Sequence, residues 1–241
     1  MVEAVGAAKV QGREVVDTNM QTKRLYCRLG RLAFSFSLFL SAVSLPGCID
    51  LAGTESLAKD KSYVFRSKAQ VYVMRGGLGG VFSTGMNQLQ STLERKYKVK
   101  TESTVWYKAN ALSKYIIKHY GTKEMPGPIV LVGHSLGAND QIKVALNLLK
   151  ARIPVALLIT IDAVSPLKVP PNVKHVLNVY KPSFVPIFSG LEVTAMDPKN
   201  TKIENVDVTL KNIKVNHFTI DKNKEVQQLM LIRTLAAIRY S

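Results

Sequence analysis

Residues 128–139, PIVLVGHSLGAN, constrain the fold of this 241-residue chain more than any other stretch. Residues 129–132 are consecutive apolar residues, too few and too β-branched for a helix, and they predict a buried strand. Residues 133–137, GHSLG, follow without a spacer, and their two glycines indicate a tight turn. Apolar residues then recur at helical spacing: Ile142, Ala145, Leu146 and Leu149. The chain therefore passes from a buried strand to a helix through a turn of very few residues.

This turn carries the pattern G-x-S-x-G, centred on Ser135. Between a strand and a helix, the pattern is typical of a nucleophile elbow, in which a strained serine projects above the end of a sheet. A β-carbon at Gly133 or Gly137 would collide across such a turn, and the N-terminus of the following helix favours a developing negative charge. The alternative is an ordinary Gly/Ser turn without chemistry. The full context favours Ser135 as the nucleophile of a serine hydrolase.

Composition and charge narrow the class of protein. Hydrophobic residues make up 46% of the chain and charged residues 21%, which excludes a largely disordered chain and a protein with many membrane spans. The net charge of +16 indicates anionic surroundings such as lipid headgroups. No basic helix, zinc pattern or aromatic RNA-binding strand accompanies the scattered lysines, so we expect no nucleic-acid partner. The only cysteines, Cys27 and Cys48, precede the predicted folded region and offer neither a disulfide framework nor a metal cluster.

Residues 1–47 have the layout of an extension followed by a secretory signal. Basic residues between positions 23 and 31 lead into residues 32–45, an uncharged run too short to span a bilayer comfortably. The run ends in Leu-Pro-Gly-Cys48, which resembles the bacterial lipobox, where a lipidated cysteine becomes the mature N-terminus. We expect lipidation at Cys48, a tether over residues 48–67 and a membrane-anchored lipoprotein on the periplasmic side of the cell envelope. A plain signal peptide or a buried apolar helix is the alternative.

Beyond the tether, predicted strands alternate with predicted helices. Strands are indicated for residues 71–74, 99–107, 129–132, 155–161, 176–180 and 206–215, and helices for residues 86–97, 109–120, 142–149 and 222–239. In the last helix, Val226, Leu229, Ile232 and Ala236 are expected to face inward. This alternation predicts an α/β domain over residues 68–241, with a mostly parallel central sheet and helices on both faces. The short interval after residue 162 leaves room for a minimal cap domain at most.

A glycine-rich loop follows the first predicted strand. Residues 76–80 read Gly-Gly-Leu-Gly-Gly, so that the backbone there can approach a ligand closely. Beside a nucleophile elbow, such a loop supplies one N–H of an oxyanion hole, and the residue after the nucleophile supplies the other. The expected donors are Leu136 and either Leu78 or Gly77. The loop fits neither common phosphate-binding glycine pattern, which makes a nucleotide site the weaker interpretation.

A serine needs a histidine to accept its proton and a carboxylate to orient that histidine. Asp162 lies 27 residues after Ser135, at the end of the next predicted strand, where side chains in a parallel sheet reach the ligand edge. It could instead cap a turn, and the rival carboxylates are Glu192, Asp197 and Asp207.

His217 is the only histidine late in the chain, between the last predicted strand and the last helix. This position suits the catalytic base in the chain order serine, acid, histidine. A core or surface histidine is the alternative. His175 precedes the wrong end of a strand, and His134 is expected to pack beneath the turn.

Together these segments resemble the α/β-hydrolase superfamily, and within it the thioesterase-domain branch. The resemblance covers residues 68–240 and rests on GHSLG at residues 133–137, IDAVSP at residues 161–166 and HFT at residues 217–219. Lipases and esterases share the elbow motif, so it does not choose among them. The resemblance implies an acyl-serine mechanism in which His217 transfers protons and Asp162 orients it, without a metal or organic cofactor.

The expected activity is hydrolysis of an ester or thioester at the cell envelope. The substrate class is a small-molecule or lipid acyl ester, and the lipid anchor would hold the enzyme at a membrane surface. A cytosolic acyl thioesterase is the better reading if residues 1–47 are not a signal. An envelope binding module on the same fold, without catalysis, is the competing class.

Overall fold

The computed structural model describes residues 62–239, which contain eight strands. They are β1 (Gln70–Arg75), β2 (Lys100–Val105), β3 (Ile129–His134), β4 (Val155–Ile161), β5 (Lys168–Val169), β6 (Val173–Tyr180), β7 (Thr194–Ala195) and β8 (Lys202–Asp207). Six of these form a central sheet in the order β2-β1-β3-β4-β6-β8, and every neighbouring pair in it is parallel. The short strands β5 and β7 pair with each other in parallel outside this sheet.

In the described part of the chain, four α-helices cover the two faces of the central sheet: α1 (Thr84–Tyr97), α2 (Ala109–His119), α3 (Leu136–Lys150) and α4 (Lys224–Arg239). Helices α1 and α4 pack on one face, against the side chains of Val71, Val73, Val130 and Val132. Helices α2 and α3 pack on the other face, against Tyr72, Met74, Ile129 and Leu131. Because β1 and β3 are buried on both faces, their sequences are continuous apolar runs. The predicted α/β architecture is confirmed.

The strand order changes direction between β1 and β3. From β1 the chain crosses to β2 on one side, and it then returns to place β3 on the other side of β1. In an open parallel sheet, such a reversal leaves a crevice beyond the carboxyl ends of the two strands. The glycine-rich loop leaves β1 at this crevice, and the turn at residues 133–137 leaves β3 beside it. The strand order therefore places the glycine-rich loop beside the turn that carries Ser135.

Some expected elements differ in the structure. Strand β6 begins at Val173, so that His175 lies within the strand and not before it. The last strand, expected at residues 206–215, ends at Asp207, whose carboxylate accepts hydrogen bonds from the amide (2.8 Å) and hydroxyl (2.6 Å) of Thr209. These local bonds turn the chain out of the sheet. In α4 the buried face is Val226, Met230 and Thr234, whereas Ile232 is 47% exposed. Apolar residues lie on several sides of α4, so periodicity alone did not identify its inner face.

Between β4 and β6 the chain forms only β5 and connecting loops, and no cap domain is inserted there. None of the helices within residues 62–239 is long and apolar enough to cross a bilayer. The expectations for residues 1–61, including the signal, Cys48 and most of the tether, lie outside the described residues.

Candidate active site

Ser135 lies between the end of β3 and the start of α3 in a strained backbone conformation, with φ 58° and ψ −128°. Its N–H donates to the carbonyl oxygen of Ile161 at 2.9 Å, which ties the turn to the end of β4. A β-carbon at Gly133 would lie 2.4 Å from the Gly137 carbonyl oxygen, and one at Gly137 would lie 2.4 Å from that of Met74. Only glycine fits at both positions, which lets the turn lift Ser135 above the sheet.

Three side chains predicted from the sequence meet at this turn. The Nε2 atom of His217 lies 2.9 Å from the Oγ of Ser135. Its Nδ1 atom lies 2.8 Å from the Oδ2 of Asp162. His217 is 7% exposed and Asp162 is fully buried, so that the bond between them is shielded from water, whereas the bond to Ser135 is only partly buried. With the carboxylate accepting the Nδ1 hydrogen, Nε2 is left with a lone pair facing the serine hydroxyl.

The backbone around Asp162 aims its carboxylate at His217. Asp162 follows β4 directly and has a φ of 52°, a left-handed conformation that aspartate tolerates better than most residues. Its Oδ1 atom accepts the Lys181 N–H at 2.8 Å, while Oδ2 faces the histidine. A β-carbon at Gly190 would lie 2.0 Å from Oδ1, so the loop after β6 can close over the acid only because this residue is glycine.

The other three candidate carboxylates form hydrogen bonds away from His217. Glu192 accepts a hydrogen bond from the Tyr180 hydroxyl at 2.7 Å. Asp197 accepts from the Lys199 amide and the Asn200 side chain, and Asp207 accepts from Thr209. Of the four candidates, only Asp162 contacts His217.

The predicted oxyanion donors lie on two loops beside Ser135. Leu136 is the first residue of α3, and the first N–H groups of a helix have no acceptor within it. Across the crevice, a β-carbon at Gly77 would lie 3.4 Å from the Cδ1 of Leu136, and Leu78 begins a short 3₁₀ turn. Leu78 is 64% exposed, and it is its backbone N–H that would serve as a donor.

Sequence reasoning missed a buried chain of hydrogen bonds behind Ser135. The Gly76 N–H donates to the Oγ of Ser83 at 3.0 Å, and this oxygen lies 2.8 Å from the Nδ1 of His134. The Nε2 of His134 lies 2.9 Å from the carbonyl oxygen of His217. Burial, followed by the proximity of His217, lowers the pKa of His134 to about 3. The serine before a helix was the only sequence signal, and it suggested helix capping rather than this contact.

Asp221 is a second buried group that the sequence did not reveal. Its Oδ2 accepts the Gly85 N–H at 2.8 Å, at the first turn of α1. Burial raises the pKa of this carboxyl group to about 6, although the Gly85 amide opposes the shift. The contact fastens the loop that carries His217 to α1.

A cavity of about 520 Å³ opens in front of the Ser135 hydroxyl. Apart from His134 and His217, its lining has no ionisable side chain, and its walls include Leu78, Phe82, Leu136, Val164, Phe188 and Phe218. The Phe82 and Phe188 rings each lie 5.1 Å from that of Phe218. A larger cavity, about 810 Å³, lies at the opposite edge of the sheet and includes none of the triad residues. Within residues 62–239, no group of three metal-ligating side chains occurs.

No protein-family model and no curated protein matches this sequence. Several solved structures superpose on it, including the following three. RedJ, a thioesterase from the prodiginine biosynthetic pathway in Streptomyces coelicolor, is 10% identical over 71% of this chain and 91% of its own, with a TM-score of 0.41. The NocB thioesterase domain from the nocardicin cluster is 13% identical over 75% and 96%, with a TM-score of 0.40.

The third structure, from Xanthomonas campestris pv. campestris, carries the description of an α/β-superfamily hydrolase. It is 11% identical over 71% of this chain and 99% of its own, with a TM-score of 0.40. Likeness this distant carries no information on substrate or mechanism, both of which must come from the side chains at the crevice.

Proposed function

We propose that the protein is a serine hydrolase that cleaves an ester or thioester through an acyl-serine intermediate. One observation carries the proposal: a single buried imidazole, that of His217, contacts both the Ser135 hydroxyl and the Asp162 carboxylate. A histidine with only a structural role in the core needs no more than one hydrogen-bond partner, and a surface serine needs no protein partner. The ordered set of nucleophile, base and acid is the arrangement that activates a hydroxyl.

In the first half of the proposed reaction, the Oγ of Ser135 attacks the substrate carbonyl carbon while its proton passes to the Nε2 of His217. The carbonyl oxygen gains a negative charge, which the N–H of Leu136 and that of Gly77 or Leu78 would stabilise. The bond to the leaving group then breaks, and the imidazolium returns the proton to the departing alkoxide or thiolate. Asp162 stabilises the imidazolium without itself becoming protonated.

In the second half, water attacks the acyl-serine ester and gives its proton to His217. Collapse of this second tetrahedral intermediate releases a carboxylic acid and returns the proton to Ser135. No redox step is involved, and the atoms of one water molecule are divided between the two products.

The lining of the cavity supports an uncharged, apolar acyl group as the substrate. The walls are mainly leucine, valine, proline and phenylalanine, with serines and two histidines beside them, and no lysine or arginine in the lining would pair with a buried carboxylate or phosphate. The volume of about 520 Å³ is in the range of pockets for small organic ligands. Both lipid esters and acyl thioesters fit this description.

The test is covalent labelling with a fluorophosphonate, which reacts only with an activated serine. The wild-type protein should be labelled on Ser135 and should hydrolyse p-nitrophenyl esters of medium chain length. Ser135→Ala should lose both labelling and turnover, because removal of a triad nucleophile costs several orders of magnitude in kcat. A folded wild-type protein that resists the probe would instead favour a binding module without catalysis.

We further propose, from the sequence alone, that the enzyme acts at the cell envelope through a lipid on Cys48. Mass spectrometry of the membrane fraction should show an N-terminal cysteine that carries two or three acyl chains. A cytosolic form that retains residues 1–47 would contradict this location and would favour a cytosolic acyl thioesterase instead.

A further inference from the structure

We propose that Ser83 and His134 are positioning residues, which hold the glycine-rich loop and the histidine loop at the correct distance from Ser135. This inference rests on the proposed serine-hydrolase function. Neither residue needs to touch the substrate for this role. Their effect passes through the backbone of Gly76 on one side and of His217 on the other.

The contacts join three loops that are far apart in sequence. Gly76 follows β1, His134 ends β3, and His217 lies between β8 and α4. The chain from the Gly76 amide through Ser83 and His134 to the His217 carbonyl has links of 3.0, 2.8 and 2.9 Å. Ser83 is 2% exposed and His134 is 1% exposed, so water does not compete for these bonds.

The chemistry of the groups fixes the direction of every hydrogen bond. The His217 carbonyl can only accept, so the Nε2 of His134 must carry a hydrogen. With its pKa lowered to about 3, His134 is neutral at neutral pH, and its Nδ1 is therefore an acceptor. The Ser83 hydroxyl donates to this Nδ1, while its oxygen lone pairs accept the Gly76 N–H. No alternative tautomer satisfies all three bonds.

The Ser83 side chain bonds to Gly76 and His134 instead of capping the helix that it precedes. It occupies the N-cap position of α1, where a serine side chain normally accepts an N–H from the first turn of the helix, yet it makes no such bond. Asp221 accepts the Gly85 N–H of that turn instead. The helix is thus capped by a residue from the histidine loop, and the Ser83 hydroxyl is left to bond to His134.

This arrangement bears on the two distances that catalysis requires. A β-carbon at Gly76 would lie 2.8 Å from the β-carbon of Ser135, so the Gly76 backbone lies directly against the nucleophile. The loop from Gly76 leads into the predicted oxyanion donors, and the His217 backbone determines where Nε2 meets the hydroxyl. A misplacement of about 1 Å at such a centre can cost roughly 100-fold in rate.

The test compares Ser83→Ala, Ser83→Thr and His134→Gln with a control, Ser113→Ala. Ser113 is as buried as Ser83, and its hydroxyl bonds to the Ala109 carbonyl in α2, outside the site. The readouts are kcat, KM, the rate of fluorophosphonate labelling and the melting temperature. For kcat, the concentration of active enzyme is determined by titrating the reactive serine. The full-length chain is used for every variant.

We expect Ser83→Ala to lower kcat and the labelling rate by about 10- to 100-fold with little change in KM. His134→Gln should fall similarly, and Ser83→Ala/His134→Gln should fall no further than the more impaired single variant, since both act through one chain. Ser83→Thr retains the hydroxyl and should recover most of the rate. The control should lower only the melting temperature.

If Ser83→Ala is insoluble, Ser83→Cys takes its place, because a thiol fills the space but is a weak donor. Variants at Ser83 and His134 that match the control in kcat and labelling rate would overturn the inference while the serine-hydrolase function stands. A wild-type protein that is not labelled at all would remove the proposed function, and this inference with it.

Discussion

Three residues at the crevice have backbone conformations that their side chains disfavour. Leu78, Ser135 and Asp162 have φ values of 53°, 58° and 52°, and each lies in a loop that leaves the carboxyl end of a strand. Such conformations cost on the order of 1–3 kcal/mol each and persist only where the surrounding structure imposes them. Three of the six non-glycine residues with positive φ in residues 62–239 therefore lie at this one edge of the sheet.

The identity of the acid is tested by Asp162→Asn. Because an asparagine cannot hold the His217 tautomer or stabilise its protonated form, we expect kcat to fall by about four orders of magnitude. Asp197→Asn and Asp207→Asn are matched controls, since both carboxylates only accept local hydrogen bonds in turns. An active Asp162→Asn variant beside an inactive control would show that His217 is oriented from elsewhere.

The strain at Ser135 is tested by comparing Ser135→Gly with Ser135→Ala. Both variants should be inactive, but only glycine relieves the positive φ, at a cost of about 0.4–1 kcal/mol from the more flexible unfolded chain. Since the relieved strain is larger, about 1–3 kcal/mol, Ser135→Gly should be the more stable of the two in urea unfolding. Equal or lower stability of the glycine variant would show that the strain in the turn does not exceed the cost of glycine in the unfolded chain, about 0.4–1 kcal/mol.

At the scale of elements, the first turn of α1 is the point where the active-site loops are joined. Gly85 packs so tightly on the histidine loop that a β-carbon there would lie 2.1 Å from the Asp221 carbonyl oxygen. The Gln227 side chain, near the start of α4, also donates to the Gly85 carbonyl at 2.7 Å. Helices α1 and α4 therefore hold the histidine loop between them.

Asp221 should make the stability of this junction depend on pH. Because burial raises its pKa to about 6, the folded state binds the proton more tightly than the unfolded state. This group therefore stabilises the fold fully below pH ~4, and its contribution is lost as pH rises through about 6. The contribution is about 3 kcal/mol at most.

The measurement is the free energy of unfolding of wild type and Asp221→Asn at pH 4.5 and pH 7.5. Asparagine can still accept the Gly85 N–H but does not titrate. Relative to wild type, the variant should therefore be more stable at the higher pH than at the lower one. A difference between the two proteins that stays constant with pH would contradict the raised pKa.

The elements of the sheet were largely predictable, because β1, β3 and β4 contain continuous apolar runs and are followed directly by Gly76, Ser135 and Asp162. Chain order and the positions of the strand ends were also sufficient to predict that Ser135, Asp162 and His217 lie at one edge of the sheet. The contacts of Ser83, Gly85 and Asp221 were not predictable, because they join loops that neither periodicity nor spacing relates. The end of β8 was missed because it depends on local hydrogen bonds of Asp207.

At the scale of the whole molecule, the net charge of +16 has no counterpart in the catalytic cavity, which is apolar. In the proposed function, the net charge would favour anionic surroundings, while the cavity would take an uncharged acyl group. We predict that the protein without a lipid on Cys48 binds vesicles containing anionic lipid at low ionic strength and dissociates as salt is raised, because exposed charges are screened beyond about 10 Å at 0.1 M salt. Sedimentation with vesicles checks this, and equal binding to neutral vesicles would contradict it.

The contacts that complete the site span long stretches of chain. Asp162 and His217 are 55 residues apart, Ser135 and His217 are 82 apart, and Gly85 and Asp221 are 136 apart. During synthesis, the turn that carries Ser135 leaves the ribosome well before its base does. Long-range contacts of this kind also form late in folding, since loop closure must precede them. In the proposed mechanism the Ser135 hydroxyl is therefore activated only after His217 has been synthesised and has reached it. A chain that ends before residue 217 carries a serine with the reactivity of an ordinary alcohol.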